Sequence, residues 1–190
     1  MPIRNKTSEI IDLFVVGVAT AGVVGLTIMA PNSLVALEKI LDNFLTGRDK
    51  KHEAKRIAKY LKQRKLVSVE EQVDGDYRVT LTDGGSKRSQ IASFERLELP
   101  NIRWDGKWRI VTFDIPEQHK QVRDYLSRHM KRVGFKQLQR SVFVYPYGVE
   151  EFVAILFDIY PEVKKYFVYA VAEDVSNHNQ LVKQFKNILR

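Results

Sequence analysis

Apolar positions open the chain as an unbroken block rather than as a periodic stripe. No charged residue lies between Leu13 and Leu34, a length that passes the roughly 18 residues of a membrane-span signal. Pro31 is a helix stop, so residues 10–30 are expected to form a buried apolar helix ending near that proline. A membrane contact by the same residues, with Arg4 and Lys6 holding the preceding end on the cytoplasmic side, is the alternative. The pattern then becomes periodic. Leu34, Leu37, Ile40, Leu41, Phe44 and Leu45 recur at steps of three and four, with Ser33 placed to cap that helix and Gly47 to close it. Ala54, Ile57, Ala58 and Leu61 form the stripe of the next helix. Strict alternation follows at Leu66 to Glu70 and again at Tyr77 to Leu81, on either side of an Asp74-Gly75 turn. That is a β-hairpin signal. Thr82-Asp83-Gly84-Gly85 is expected to end the hairpin, and residues 91–107 read as a connector.

Beyond the connector the periods alternate between two and about 3.6. Trp108 to Phe113 reads as a strand, Pro116 sits where a first helical residue belongs, and Val122, Tyr125, Leu126, Met130 and Val133 give a helix closed by Gly134. Two short strands, at 135–139 and 141–145, precede a helix carrying Phe152, Ile155, Leu156 and Ile159. Tyr166 to Val171 is the last strand, and the tail from Asn177 is helical. The order βαββαβ predicts a ferredoxin-like domain. The fold class is therefore α+β, with a winged helix-turn-helix-like domain at residues 1–95, a ferredoxin-like domain at 104–175 and a helical tail at 176–190.

Charge adds a partner to this picture. Over 190 residues, Lys plus Arg outnumber Asp plus Glu by 31 to 23, a net charge of +8. Such an excess favours a polyanion, nucleic acid or an anionic membrane surface. It is concentrated. Residues 48–65 hold nine Lys or Arg against Asp49 and Glu53, and residues 101–140 hold ten against four acidic side chains. A basic helix followed by a hairpin is the order of a winged helix-turn-helix, whose last helix enters the major groove. The candidate nucleic-acid contacts are Lys50, Lys51, Lys55, Arg56, Lys59, Lys62, Arg64 and Lys65 on the helix. Arg78, Lys87 and Arg88 lie around the hairpin, and Arg123, Arg128, Lys131 and Arg132 lie in the second domain. Asp74 and Asp76 at the hairpin tip argue against close phosphate contact there.

Several chemistries drop out. The chain has no Cys, which removes disulfides, thiol nucleophiles and cysteine-ligated metals. Its four His fall in no ligand spacing, and no phosphate-loop, dinucleotide or nucleophile-elbow signature is present. No cofactor is expected.

The run WDGKWRIVTFDIP, a helix, and then GFKQLQRSVFVYP together resemble the central domain of the PaaX family of transcriptional repressors, a domain that is itself Cas2-like. The motif residues are Phe113-Asp114-Ile115-Pro116, Gly134-Phe135, Gln139, Ser141, Val142 and Phe143. The hairpin half, with Leu66-Val67 and Leu81-Thr82 before Gly85, resembles the winged helix that precedes this domain in the family. The resemblance implies a cytoplasmic, homodimeric protein that binds double-stranded DNA, paired through its Cas2-like domain. It would act in transcription regulation, or as a CRISPR-type architectural factor with a Cas1-like partner. Such repressors carry a further C-terminal domain, for which 190 residues leave no room. In some Cas2 proteins the Asp at the end of the first strand is linked to metal-dependent nuclease activity, and its place here is Asp114. The alternative reading is thus a Mg²⁺-dependent endoribonuclease or endodeoxyribonuclease with Asp114 as metal ligand, helped by Asp105 or Glu117. Against it, the Asp114 carboxylate can instead accept from backbone N–H groups near Pro116. A membrane-associated or protein-binding module built on residues 10–30 is the third reading.

Overall fold

In the computed structural model, residues 6–22, 24–26, 30–99 and 103–189 are described. The chain divides into two compact units, Met1–Ser93 and Phe94–Arg190.

In the first unit, α1 (Lys6–Ala21) is followed by β1 (Val24–Leu26), α2 (Ser33–Phe44), α3 (Lys50–Gln63), β2 (Val67–Glu71), β3 (Tyr77–Leu81) and most of α4 (Asp83–Arg96), whose last residues, from Phe94, belong to the second unit. The three strands form one antiparallel sheet in the order β1-β3-β2. The hairpin is as its alternation predicts, with Val69 opposite Val79. The core joins one face of each helix to the sheet: Phe14, Val15 and Val18 of α1, Leu37 and Leu41 of α2, Ile57 and Leu61 of α3, and Val79 of β3.

Three expectations are corrected here. The apolar opening is not one helix to Pro31. Gly22, at φ +72°, takes the chain out of α1 after Ala21, and Val24–Leu26 become a strand on β3. Apolar runs alone do not separate a short strand from a helix turn. Residues 27–29, the end of the expected helix, lie outside the described residues. Asn32, not Ser33, caps α2: its side chain accepts from the N–H groups of Leu34 and Val35, each at 3.0 Å. Finally, Thr82-Asp83-Gly84-Gly85 ends the hairpin as expected but also starts α4, which runs to Arg96 and takes the first residues of the expected connector at 91–107. The Thr82 hydroxyl accepts from Gly85 N–H at 3.2 Å, and its carbonyl accepts from Ser86 N–H at 2.8 Å. Gly85 is needed for close approach, since a Cβ there would lie 1.9 Å from the Leu66 carbonyl oxygen.

In the second unit, β4 (Trp108–Phe113), α5 (Lys120–Arg132), β5 (Lys136–Gln139), β6 (Val142–Tyr145), α6 (Glu150–Ile159) and β7 (Phe167–Ala172) follow the predicted order, closed by α7 (His178–Gln184). The sheet order β5-β6-β4-β7, antiparallel throughout, is the split βαβ arrangement of a ferredoxin-like fold. Pro116 precedes a 3₁₀ turn, Glu117–His119, rather than α5 itself. Phe113 stacks beside Phe143 and Phe167 on the face that also meets Phe157 of α6. On the opposite face Ile110, Thr112 and Val142 are half-buried, while Val168 is 58% exposed. The tail folds back on its own unit. Phe185 lies 5.7 Å from the Trp108 ring and 6.1 Å from that of Tyr145. Within this unit Trp104 stacks on His178, with its ring centroid 4.9 Å from that of Trp108.

Candidate nucleic-acid interface

α3 is built to present charge. Its stripe of Ala54, Ile57, Ala58 and Leu61 is at most 1% exposed, which turns the opposite face to solvent. On an α-helix, steps of four and of three or four keep residues on one face. Lys51, Lys55, Lys59 and Lys62 therefore line up, all exposed. Among the described residues Lys51, Lys55 and Lys59 make no hydrogen bond or ion pair. The Lys62 ammonium donates to Ser33 Oγ at 2.6 Å, tying the last turn of α3 to the start of α2.

The other basic groups of α3 are partly committed. Lys50 donates to the Asp42 carbonyl at 3.2 Å and lies 3.5 Å from its carboxylate, which seats the first turn on α2. Arg56 donates to the Thr7 hydroxyl and lies 3.4 Å from Glu53. Arg64 sits 5.8 Å from the Tyr60 ring centroid. Lys65 has a feature that its sequence does not show. The N–H of Leu66 donates to Leu61 O at 2.9 Å and that of Lys65 to Lys62 O at 3.0 Å, a Schellman closure with Lys65 in the left-handed position at φ 49°. α5 ends in the same motif, Phe135 N–H to Met130 O and Gly134 N–H to Lys131 O, with glycine at that position. A lysine where glycine costs least thus adds one more exposed charge at the end of α3.

Around the hairpin the charges separate by role. Arg78 is exposed and pairs in register with Glu70 across the β2–β3 ladder. Lys87 is exposed on α4. Arg88, sequence-assigned to nucleic acid, is instead an internal strut. Its Nε donates to Asp12 Oδ1 at 2.8 Å, Nη1 to the Tyr60 hydroxyl at 3.0 Å and Nη2 to Ser8 Oγ at 3.3 Å. Asp12, on the buried side of α1, is the charge the apolar pattern hid. The hairpin tip is acidic, with Glu70, Glu71 and Asp74 exposed around Val73.

In the second unit Arg128, Lys131 and Arg132 are exposed on α5, with Arg132 contacting the His129 ring. Arg123 is not an open contact. It donates to Ile115 O at 3.1 Å and to Glu117 at 2.8 Å, which fastens the 3₁₀ turn to α5. His129 is packed between Tyr125, Phe152 and Phe94. Burial, reinforced by Arg132, depresses its pKa to about 4, so the ring is neutral near pH 7.

Asp114 is exposed at the end of β4, and its backbone N–H donates to Tyr166 O at 2.9 Å. The two carboxylates that could join it in holding a cation are otherwise engaged. Asp105 forms a bidentate pair with Arg109 at 2.6 and 2.7 Å, which pulls its pKa down to about 2. Glu117 is held by Arg123 and Lys120. Among the described residues no three His, Asp or Glu side chains converge on a point. Nor, among them, is any helix long and apolar enough to cross a membrane.

No curated protein matches the chain in a sequence search. Residues 101–182 do match the family model described as the PaaX protein central Cas2-like domain. That span covers the whole split βαβ sheet and most of α7. The second unit is thus similar, over most of its length, to the PaaX protein central Cas2-like domain.

Proposed function

We propose that this chain is a dimeric, double-stranded DNA-binding regulator in which the first unit is a winged helix and the Cas2-like unit supplies the dimer. The order α1-β1-α2-α3-β2-β3, with the first strand paired to the last, supports that reading of the first unit. In such a domain the helix before the hairpin is the one that enters the major groove. Here that helix is α3. Its outward lysine stripe, opposite a fully buried apolar stripe, is the observation that carries the proposal. Lys51, Lys55, Lys59 and Lys65 contact phosphates, and the exposed Arg128, Lys131 and Arg132 of α5 add positive field in the second unit. Phosphate contacts position the protein on the duplex. They do not read sequence.

A regulator is favoured over a CRISPR-type architectural factor because a helix-rich unit with its own core precedes the Cas2-like domain. Nuclease chemistry at Asp114 is not favoured, because its candidate helpers are held in ion pairs. The test is the variant Lys51→Gln/Lys55→Gln/Lys59→Gln, measured by fluorescence anisotropy on a labelled duplex in EDTA. Each lost phosphate contact lowers the log–log salt slope by about 0.9, so the variant is expected to lose about 2.7 from the wild-type value. An unchanged slope refutes the placement of α3 on DNA.

A further inference from the structure

We propose that the groove between the end of α1, β3 and α4 binds a small uncharged molecule, one that carries a carboxamide-like donor and acceptor group on an apolar body. The groove lies wholly in the first unit and does not depend on the DNA-binding reading. Its volume is about 330 Å³. An apolar cavity of about 150 Å³ holds benzene, so this one has room for a ring and a polar group. Val18, Ala19 and Leu81 supply its apolar walls. Gly22, at φ +72°, follows α1 and leaves that end of the groove without a side chain, and a Cβ there would meet nothing within 4 Å.

α4 brings the polar side. Ser86, Ser89 and Gln90 are three and four residues apart, on one face of the helix, and Thr80 of β3 completes the lining. Ser89 is 5% exposed, yet its hydroxyl makes no hydrogen bond to another described residue. A helical serine or threonine can satisfy its hydroxyl on the carbonyl one turn earlier. Thr20 of α1 does so, donating to Val16 O at 2.9 Å. Ser89 does not take Gly85 O in this way, and its hydroxyl is left to the groove. A buried hydroxyl without a partner is destabilising, and the carbonyl of a ligand removes that cost.

Charge sets the class of ligand. Among the described residues that line the groove there is no Lys, Arg, His, Asp or Glu, although Lys87 and Arg88 lie on the same helix. An ion placed there would lose water and gain no counter-charge. The hydroxyls of Thr80, Ser86 and Ser89 and the Gln90 carboxamide can each donate and accept, which suits a group that does both, such as a primary amide. Bound there, the molecule ties the end of α1 to the helix that follows the hairpin.

The experiment is a titration of the isotope-labelled full chain with benzamide, benzoate and toluene, followed by the NMR signals of the backbone amides. Benzamide should move the signals of Ala19, Gly22, Ser86, Ser89 and Gln90 with a Kd of about 1 mM or below, a range open to a ligand of so few atoms. Benzoate, the same ring with a negative charge, should bind at these residues at least about tenfold more weakly. Toluene, which offers nothing to the Ser89 hydroxyl, should also bind more weakly. Ser89→Ala should weaken benzamide about fivefold. Ala19→Phe, at an exposed position of α1 that lines the groove, should abolish its binding. Benzamide that leaves these signals in place, or that moves signals throughout the chain alike, overturns the proposal. So does benzoate that binds here as tightly as benzamide, a comparison made on the wild type and free of any folding loss. Benzamide affinity unchanged by both Ser89→Ala and Ala19→Phe overturns it as well.

Discussion

The Arg88–Asp12 pair offers a sharp division between a structural and a DNA-contacting arginine. Asp12 is 3% exposed at its side chain and Arg88 22%, with 2.8 Å between them. Replacing Arg88 with Met removes three hydrogen bonds and leaves a buried carboxylate without its guanidinium. Removing one partner of a buried pair costs about 3–5 kcal/mol. In a unit of about ninety residues, that lowers the midpoint of thermal unfolding by on the order of 15–30 °C. The double variant Asp12→Leu/Arg88→Met removes both charges and should recover most of the loss, because a hydrophobic replacement of a buried pair is often neutral or better. The cycle should therefore give a coupling of at least about 2 kcal/mol. The assay is thermal unfolding by circular dichroism, with anisotropy on the duplex for whatever remains folded. The salt slope of the double variant should match the wild type. A single Arg88→Met variant that keeps its midpoint and loses about 0.9 of slope would refute the strut and return Arg88 to the interface.

Three further outcomes follow from the same geometry. Lys65→Gly should stabilise the first unit by about 1 kcal/mol, because it relieves a left-handed non-glycine residue, and should remove one unit of charge from the end of α3; a lower unfolding midpoint would contradict the Schellman assignment. His129 has its folded pKa depressed below that of the unfolded ring. The stability this contributes is complete above about pH 6.5 and is lost as pH falls towards about 4, by roughly 3 kcal/mol in all. His129→Phe should flatten that part of the acid unfolding profile, and a profile unchanged by the substitution would contradict it. Asp114→Ala should leave both the DNA salt slope and the unfolding midpoint within experimental error, since its carboxylate is exposed and holds no partner among the described residues; loss of a metal-dependent cleavage activity in this variant would overturn the reading.

The second unit was legible almost strand by strand, because its elements each carry a clean period of two or about 3.6 between Pro and Gly punctuation. Phe113, Phe143 and Phe167 come together as their alternation implies. The first unit was legible only where it alternates. Its opening carries too little polarity to mark β1, and Gly84-Gly85 has the composition of a turn while serving the close packing of α4 on the Leu66 carbonyl. Site residues were found by charge, which does not tell an exposed lysine from a buried strut. Lys55 and Arg88 look alike in sequence. What separates them is Asp12, 76 positions from Arg88 and set in an apolar run. Arg123 was misleading for the same reason, since its partners are Ile115 O, just before Pro116, and Glu117, in a turn that Pro116 had suggested was already α5. The left-handed Lys65 could have been suspected from a helix that ends with no glycine.

The central claim, that this chain binds duplex DNA through its phosphates, is tested most directly by anisotropy of the wild-type protein on a labelled mixed-sequence duplex, titrated from about 50 to 300 mM salt in EDTA. Sub-micromolar affinity at low salt, with a log–log slope steeper than about −3, is the predicted result, since the proposed interface engages phosphates through Lys51, Lys55, Lys59 and Lys65. Weak binding with a flat slope, from folded and dimeric protein, would contradict it and leave the lysine face of α3 as solvated surface.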